Sequence, residues 1–158
     1  MKSNLISKTD TALVLKEISE QWRLELPKIK NLKIYELEDN ARIIVGDGIT
    51  ALKVDQTYLP FLTDAKSLER FPNVTVDMGA VKFMCDGANV MRPGIRSFSE
   101  FEKGQLVCVV EESQKKFLAV GRALVPSSEL QTMTKGVVIE NLHYVSDKYW
   151  QIKKSIKN

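Results

Sequence analysis

Cysteine and histidine are scarce in this sequence: Cys85, Cys108 and His143 are all it has of either. A zinc ribbon or a dithiol redox motif needs a CxxC pair, and these two cysteines lie far apart outside any such arrangement. A single histidine excludes a multi-histidine metal site. It leaves a Cys/His nucleophilic pair arithmetically open, but no surrounding signature supports one. Two buried, reduced thiols are the expected state of the cysteines. No run reaches the roughly 20 apolar residues that cross a bilayer, and the opening MKSNLISKTD has no apolar stretch suited to a secretory signal. The expectation is a soluble, cytoplasmic protein without membrane contact. A phosphate-binding glycine loop is missing too, because Gly46-Asp47-Gly48 lacks the third glycine, the lysine and the following helix. Nothing implies a metal or organic cofactor.

The chain has 158 residues, 44% of them hydrophobic, enough for one ordinary domain or two small ones. Its formal charge of +3 is unevenly placed. Residues 1–73 balance 11 basic against 11 acidic side chains, whereas residues 74–158 carry 12 against 9. The last eleven residues, KYWQIKKSIKN, hold four lysines, an aromatic pair and no acid. Such a run reads first as a solvated face, but basic groups beside aromatics also suit phosphate and base contacts.

Apolar residues at Leu13, Val14, Ile18, Trp22 and Leu26 predict a helix over 9–26, with Thr9 or Asp10 as N-cap and Pro27 as its stop. LKIYELED, ARIIV and ITALKV read as short strands, with Asp47-Gly48 as the hairpin turn between the last two. YLPFLTDAKSLER predicts an apolar loop and a short helix capped by Thr63 or Asp64. Phe71-Pro72-Asn73 breaks regular structure and marks the expected domain boundary, giving domains 1–73 and 74–158.

The second half opens with the extended VTVD. Asp77 is suited to N-cap a helix of about two turns, and Gly87 to end it in the left-handed region. On that helix Val81, Met84 and Cys85 can share a buried face, while Lys82 and Asp86 project from the other side. Expected strands follow at ANVMR, QLVCVV, KFLAVGRALV, VVIENLHYV and YWQIKK, with a short helix through ELQTM capped by Ser127 or Ser128. Many short strands after one helix predict a small, partly closed β-barrel.

VDMGAVKFMCDGANVMRPGI, then FEKGQLVCVVEESQKKFLAVGRALVPSSEL and KGVVIENLHYVSDKYWQIK, together resemble a PUA domain over residues 74–154. The wording of GANVMRPGI and GVVIENLHYVSDKYW is similar to the malignant T-cell-amplified-sequence family, in which a pre-PUA domain precedes the PUA domain. The resemblance implies an α+β chain, with a small N-terminal α/β pre-PUA domain and a C-terminal mixed β-barrel with short helices. It further implies a non-enzyme acting in translation, on the small ribosomal subunit or tRNA. Eukaryotic members work with density-regulated protein.

Carried over residue by residue, the RNA-contacting positions are Lys82 on the first helix, Gly87, Ala88 and Asn89 in the loop after it, then Met91, Arg92, Pro93, Gly94 and Arg96, with Lys148, Tyr149 and Lys153 added from the last strand. Residue chemistry is compatible with these roles. Small residues let phosphates approach backbone N–H groups, arginines can bind phosphate bidentately, and Tyr149 or Trp150 can stack on bases. Packing explains several of the same residues. Gly79 and Gly87 can simply shape helix ends, Pro93-Gly94 is a turn with glycine free to take positive φ, Trp150 can be core, and His143 reads as a structural histidine. Asp77 and Asp86 have cap and turn roles and form no catalytic dyad.

Two other functions stay open. PUA domains ride on pseudouridine synthases and archaeosine transglycosylase, so the chain could be an accessory RNA-binding subunit of a tRNA or rRNA modification enzyme. Alternatively, the N-terminal domain could dock a translation-factor or modification-enzyme partner, which exposed apolar groups among Tyr58, Leu59, Phe61 and Leu62 would favour.

Overall fold

The computed structural model describes residues 1–156; Lys157 and Asn158, the end of the basic stretch, lie outside them. The chain divides into two compact units, Met1–Arg70 and Phe71–Asn158.

The first unit carries β1 (Lys2–Leu5), α1 (Lys8–Trp22), β2 (Lys33–Glu36), β3 (Arg42–Gly46), β4 (Ile49–Val54), β5 (Thr57–Pro60) and α2 (Ala65–Leu68). Its five strands form an antiparallel meander in chain order. The helix starts earlier than Thr9 because Ser7 is the cap, its hydroxyl accepting the Asp10 N–H at 3.0 Å. It also stops before Pro27 is reached: Arg23 takes the left-handed conformation, and its N–H bonds the Ser19 carbonyl. Gln21 and Trp22 then bind the outer edge of β5, Trp22 Nε1 donating to the Tyr58 carbonyl at 2.9 Å and Gln21 Oε1 accepting the Tyr58 N–H at 2.8 Å.

Thr57–Pro60 is therefore a strand and not the expected loop. Tyr58, Leu59, Phe61 and Leu62 are all buried, which removes the exposed apolar surface that a docking role for them requires. Asp64 caps α2 as expected. All four residues of β1 are exposed, so no buried periodicity marks this strand in the sequence.

The second unit carries β6 (Asn73–Val76), α3 (Val81–Met84), β7 (Val90–Met91), β8 (Ile95–Phe98), β9 (Leu106–Glu111), β10 (Phe117–Ala123), β11 (Val137–Tyr144) and α4 (Lys148–Lys154). Its six strands run in the order β7-β11-β10-β9-β6-β8, antiparallel except for the parallel pair β6 and β9. The edge strands β7 and β8 are consecutive in the chain, joined by a 3₁₀ turn at Arg92–Gly94, so the sheet curls into a nearly closed barrel. Val74, Val76, Val107, Val109, Ala119, Val138 and Ile139 fill it together with Met84 and Leu130. The overall class is mixed α+β, as expected.

Gly121 marks a register shift where β10 meets β11. A Cβ there would stand 2.2 Å from the Glu140 carbonyl oxygen, so only glycine permits this strand approach. Two local expectations are corrected. Ser127 caps nothing: its hydroxyl accepts the Phe101 N–H and donates to the Phe101 carbonyl, stapling two loops. YWQIKK is helical, because Asp147 accepts the Trp150 N–H at 2.8 Å and starts α4 where the aromatic content had suggested a strand.

Candidate functional site

The GAVKF segment begins at Asp77, whose carboxylate accepts the Ala80 N–H at 3.0 Å and whose own N–H binds the Gly94 carbonyl at 3.0 Å. One residue thus starts the helical turn and ties it to the turn before β8. A 3₁₀ turn over Met78–Ala80 runs into α3, and Gly87 ends the segment at φ +88°. Met84 faces the barrel core with Val81 and Cys85 packed against it, leaving Lys82 and Phe83 outward.

The loop after α3 is held from β11. Asn141 Nδ2 donates to the Met84 carbonyl at 3.2 Å and the Ala88 carbonyl at 3.0 Å, while its backbone N–H donates to Asn89 Oδ1 at 2.9 Å. Ser146 Oγ donates to the Cys85 carbonyl, and the Tyr144 ring lies where a Gly87 Cβ would come within 3.0 Å of it. Gly87 is therefore fixed twice, by its φ and by the ring. The Met84, Cys85 and Ala88 carbonyls are thus engaged by side chains from β11 and the turn after it.

Beside it opens a groove of about 400 Å³, lined chiefly by Val76, Ala80, Phe83, Met84, Ala88, Val90 and Met91. Two of its lining residues are large, exposed apolar side chains: Phe83 is 60% exposed and Met91 46%.

Among the twelve candidate positions, Ala88, Asn89, Met91 and Gly94 line this groove, with Lys82 exposed on α3 and Gly87 in the adjoining loop. Pro93 is exposed in the turn. Gly94 does not use positive φ, and a Cβ there would meet only Ala80 at 3.8 Å, so its turn role is corrected to a 3₁₀ turn that other residues could form. Arg92 is partly engaged within the fold. Its Nε donates to the Leu130 carbonyl at 2.7 Å and its Nη1 to the Ile95 carbonyl at 3.2 Å, so the guanidinium braces the gap where the barrel passes from β7 to β8. Arg96 stays on the surface, 62% exposed, with Nε 3.8 Å from Glu112 Oε2.

Lys148, Tyr149 and Lys153 come from α4 and not from a strand. Lys148 Nζ lies 5.2 Å from the Tyr149 ring centre, and Lys154 Nζ 6.0 Å from that of Trp150, a basic and aromatic surface of the kind the composition anticipated. Beneath it His143 is fully buried, its Nδ1 2.7 Å from Asp147 Oδ2. That oxygen also accepts the Tyr144 N–H at 2.9 Å. Burial pushes the Asp147 carboxyl up, but the hydrogen bond and charge of His143 and the two backbone donors outweigh it and hold the group below the usual carboxylate range. His143 is thus structural, as expected.

The cysteines offer no reactive thiolate. Burial pushes Cys108 up to about 12, and burial with the neighbouring Asp86 raises Cys85. Among the described residues there is no cluster of three or more His, Cys, Asp or Glu that could hold a metal, and no helix long and apolar enough to cross a membrane. Sequence alone does not mark Asn141 and Tyr144 of β11, which hold the loop, Glu112 just past β9, which accepts the Met78 N–H, or Asp147, which caps α4 and bonds His143.

Residues 72–145 match the family model described as PUA domain. An uncharacterized protein of Methanocaldococcus jannaschii is 38% identical over 96% of this chain and 97% of its own. Translation machinery-associated protein 20 of Saccharomyces cerevisiae is 31% identical over 79% of this chain and 74% of its own, and malignant T-cell-amplified sequence 1-A of Xenopus laevis 30% over 85% and 78%. Among solved structures, a hypothetical protein of Pyrococcus horikoshii superimposes with a TM-score of 0.80 at 27% identity, covering 96% of this chain and 99% of its own. A chain from an H/ACA RNP bound to a substrate RNA matches 60% of this chain and 29% of its own, with a TM-score of 0.50 at 25% identity.

Proposed function

The chain belongs to the family of PUA-domain proteins that includes translation machinery-associated protein 20 and the malignant T-cell-amplified sequences, and from that premise we propose that it is a non-catalytic, cytoplasmic RNA-binding protein acting in translation, on the small ribosomal subunit or tRNA. The observation that carries the reading is the groove beside the Gly87 loop. Exposed Phe83 and Met91 offer apolar faces to an unstacked base, while Lys82 and Arg96 offer charge to the backbone that carries it. Base contacts on an aromatic platform tolerate sequence, and the cations supply affinity that falls with salt. Lys148, Tyr149 and Lys153 extend the same chemistry along α4. The first unit is left for a protein partner, a translation factor or a modification enzyme.

Binding of the full chain to a tRNA transcript and to small-subunit rRNA, titrated with salt, tests the reading. Affinity should fall linearly on logarithmic axes, and Phe83→Ala combined with Lys82→Glu should weaken it at least about tenfold. Unchanged affinity in that variant would refute the groove as the binding surface.

A second reading, the accessory subunit of a modification enzyme, draws on the likeness to a chain of the H/ACA RNP. Co-purification separates the two: ribosomal particles favour the first, a modification enzyme the second.

A further inference from the structure

The Arg96 guanidinium lies beside the carboxylate of Glu112, which is outside the GANVMRPGI segment, where β9 turns toward β10. Glu112 Oε2 sits 3.8 Å from Arg96 Nε and accepts the Met78 N–H at 3.0 Å, so one oxygen is shared between a guanidinium and the first backbone donor of the GAVKF turn. The Glu112 N–H donates to the Val76 carbonyl at 3.0 Å, which anchors the residue against β6 independently of its side chain. The side chains of Arg96 and Glu112 are 62% and 39% exposed, and the spacing is at the long end of an ion pair.

A phosphate oxygen is an anionic acceptor that takes the same two kinds of donor. We propose that Glu112 is an internal competitor for RNA phosphate: its carboxylate occupies the Arg96 guanidinium and the Met78 N–H in the free protein and yields them to a phosphate when RNA docks. This rests on the reading that the Arg96 edge faces RNA. An exposed pair of this length is weak, so an RNA anchored elsewhere in the groove displaces it readily. An RNA held by charge alone has to overcome it first. Glu112 thus lowers indiscriminate binding of polyanions more than binding of an RNA that fills the groove.

The test uses the full chain and Glu112→Gln, whose amide oxygen can still accept the Met78 N–H, with Arg96→Ala and the double variant beside it. Binding is measured to a tRNA transcript and to heparin as a polyanion without bases. Glu112→Gln should tighten tRNA binding about two- to fivefold and tighten heparin binding by a larger factor. These gains should vanish in the Arg96→Ala background. If Arg96→Ala weakens tRNA binding while Glu112→Gln leaves it unchanged or weaker, Glu112 only orients the arginine and the proposal fails while the RNA-facing edge stands. If neither Arg96→Ala nor Lys82→Glu alters tRNA binding, the edge itself is wrongly assigned and both readings fall.

Discussion

Replacing Asp147 tests how the C-terminal helix is held to the barrel. Its Oδ1 accepts the Trp150 N–H at 2.8 Å, and its Oδ2 accepts the Tyr144 N–H at 2.9 Å and faces His143 Nδ1 at 2.7 Å. Alanine removes the helix cap, a loss of about 1 kcal/mol. It also strips a partner from a fully buried imidazole nitrogen and from the Tyr144 amide, which costs about 1–3 kcal/mol. Together Asp147→Ala should destabilise the second unit by about 2–4 kcal/mol. Asparagine separates the two parts. Its oxygen can keep the Trp150 bond, but its NH2 then faces donors, so it should spare about 1 kcal/mol relative to alanine. Native-state hydrogen exchange of the β11 and α4 amides reads both values. A cost below about 0.5 kcal/mol for alanine would refute the argument, because no buried donor would then have lost anything.

The same carboxylate predicts a pH window. Its folded-state pKa is depressed, so its stabilisation is present above the unfolded value and is lost as pH falls through the folded one. Wild-type stability should therefore lose this contribution only below about pH 4, and Asp147→Asn should lack that part of the acid dependence. Gly121→Ala should destabilise the barrel by more than about 3 kcal/mol in chemical denaturation, since its Cβ would meet backbone 2.2 Å away that cannot turn aside. Gly87→Ala faces both φ +88° and the Tyr144 ring; hydrogen exchange should show the loop loosened by about 1–2 kcal/mol, with weaker RNA binding. Arg92→Ala should lower stability by about 1–3 kcal/mol while leaving the salt slope of RNA binding unchanged, because its guanidinium serves Leu130 and Ile95.

The parts of the fold readable from sequence are those set by neighbours in the chain. Asp77 as a cap, Gly87 as a left-handed terminator and Asp64 before α2 each depend on a contact three or four residues away. Contacts closed across the barrel were not readable. Arg92 reads from sequence as a phosphate ligand, and nothing local marks its bond to the Leu130 carbonyl, 38 residues away, which forms only when the barrel closes. Asn141 reaches the loop from β11, 57 residues beyond Met84, and Glu112 reaches Met78 from just past β9, 34 residues on; neither carries a local mark. α4 misled in a different way. Tyr149, Trp150 and Ile152 favour strands by propensity, yet Asp147 can satisfy the Trp150 amide only if the chain turns helical.

The central claim is that RNA docks on the groove beside the Gly87 loop. Backbone amide NMR of the full chain, titrated with a tRNA transcript, tests it most directly. The account predicts that shifts concentrate at residues 78–96, with a second set at 148–153, and that Lys82→Glu removes the first set. Shifts confined to the first unit, or to the surface pocket lined by Phe98, Glu102 and Gln131, would contradict it.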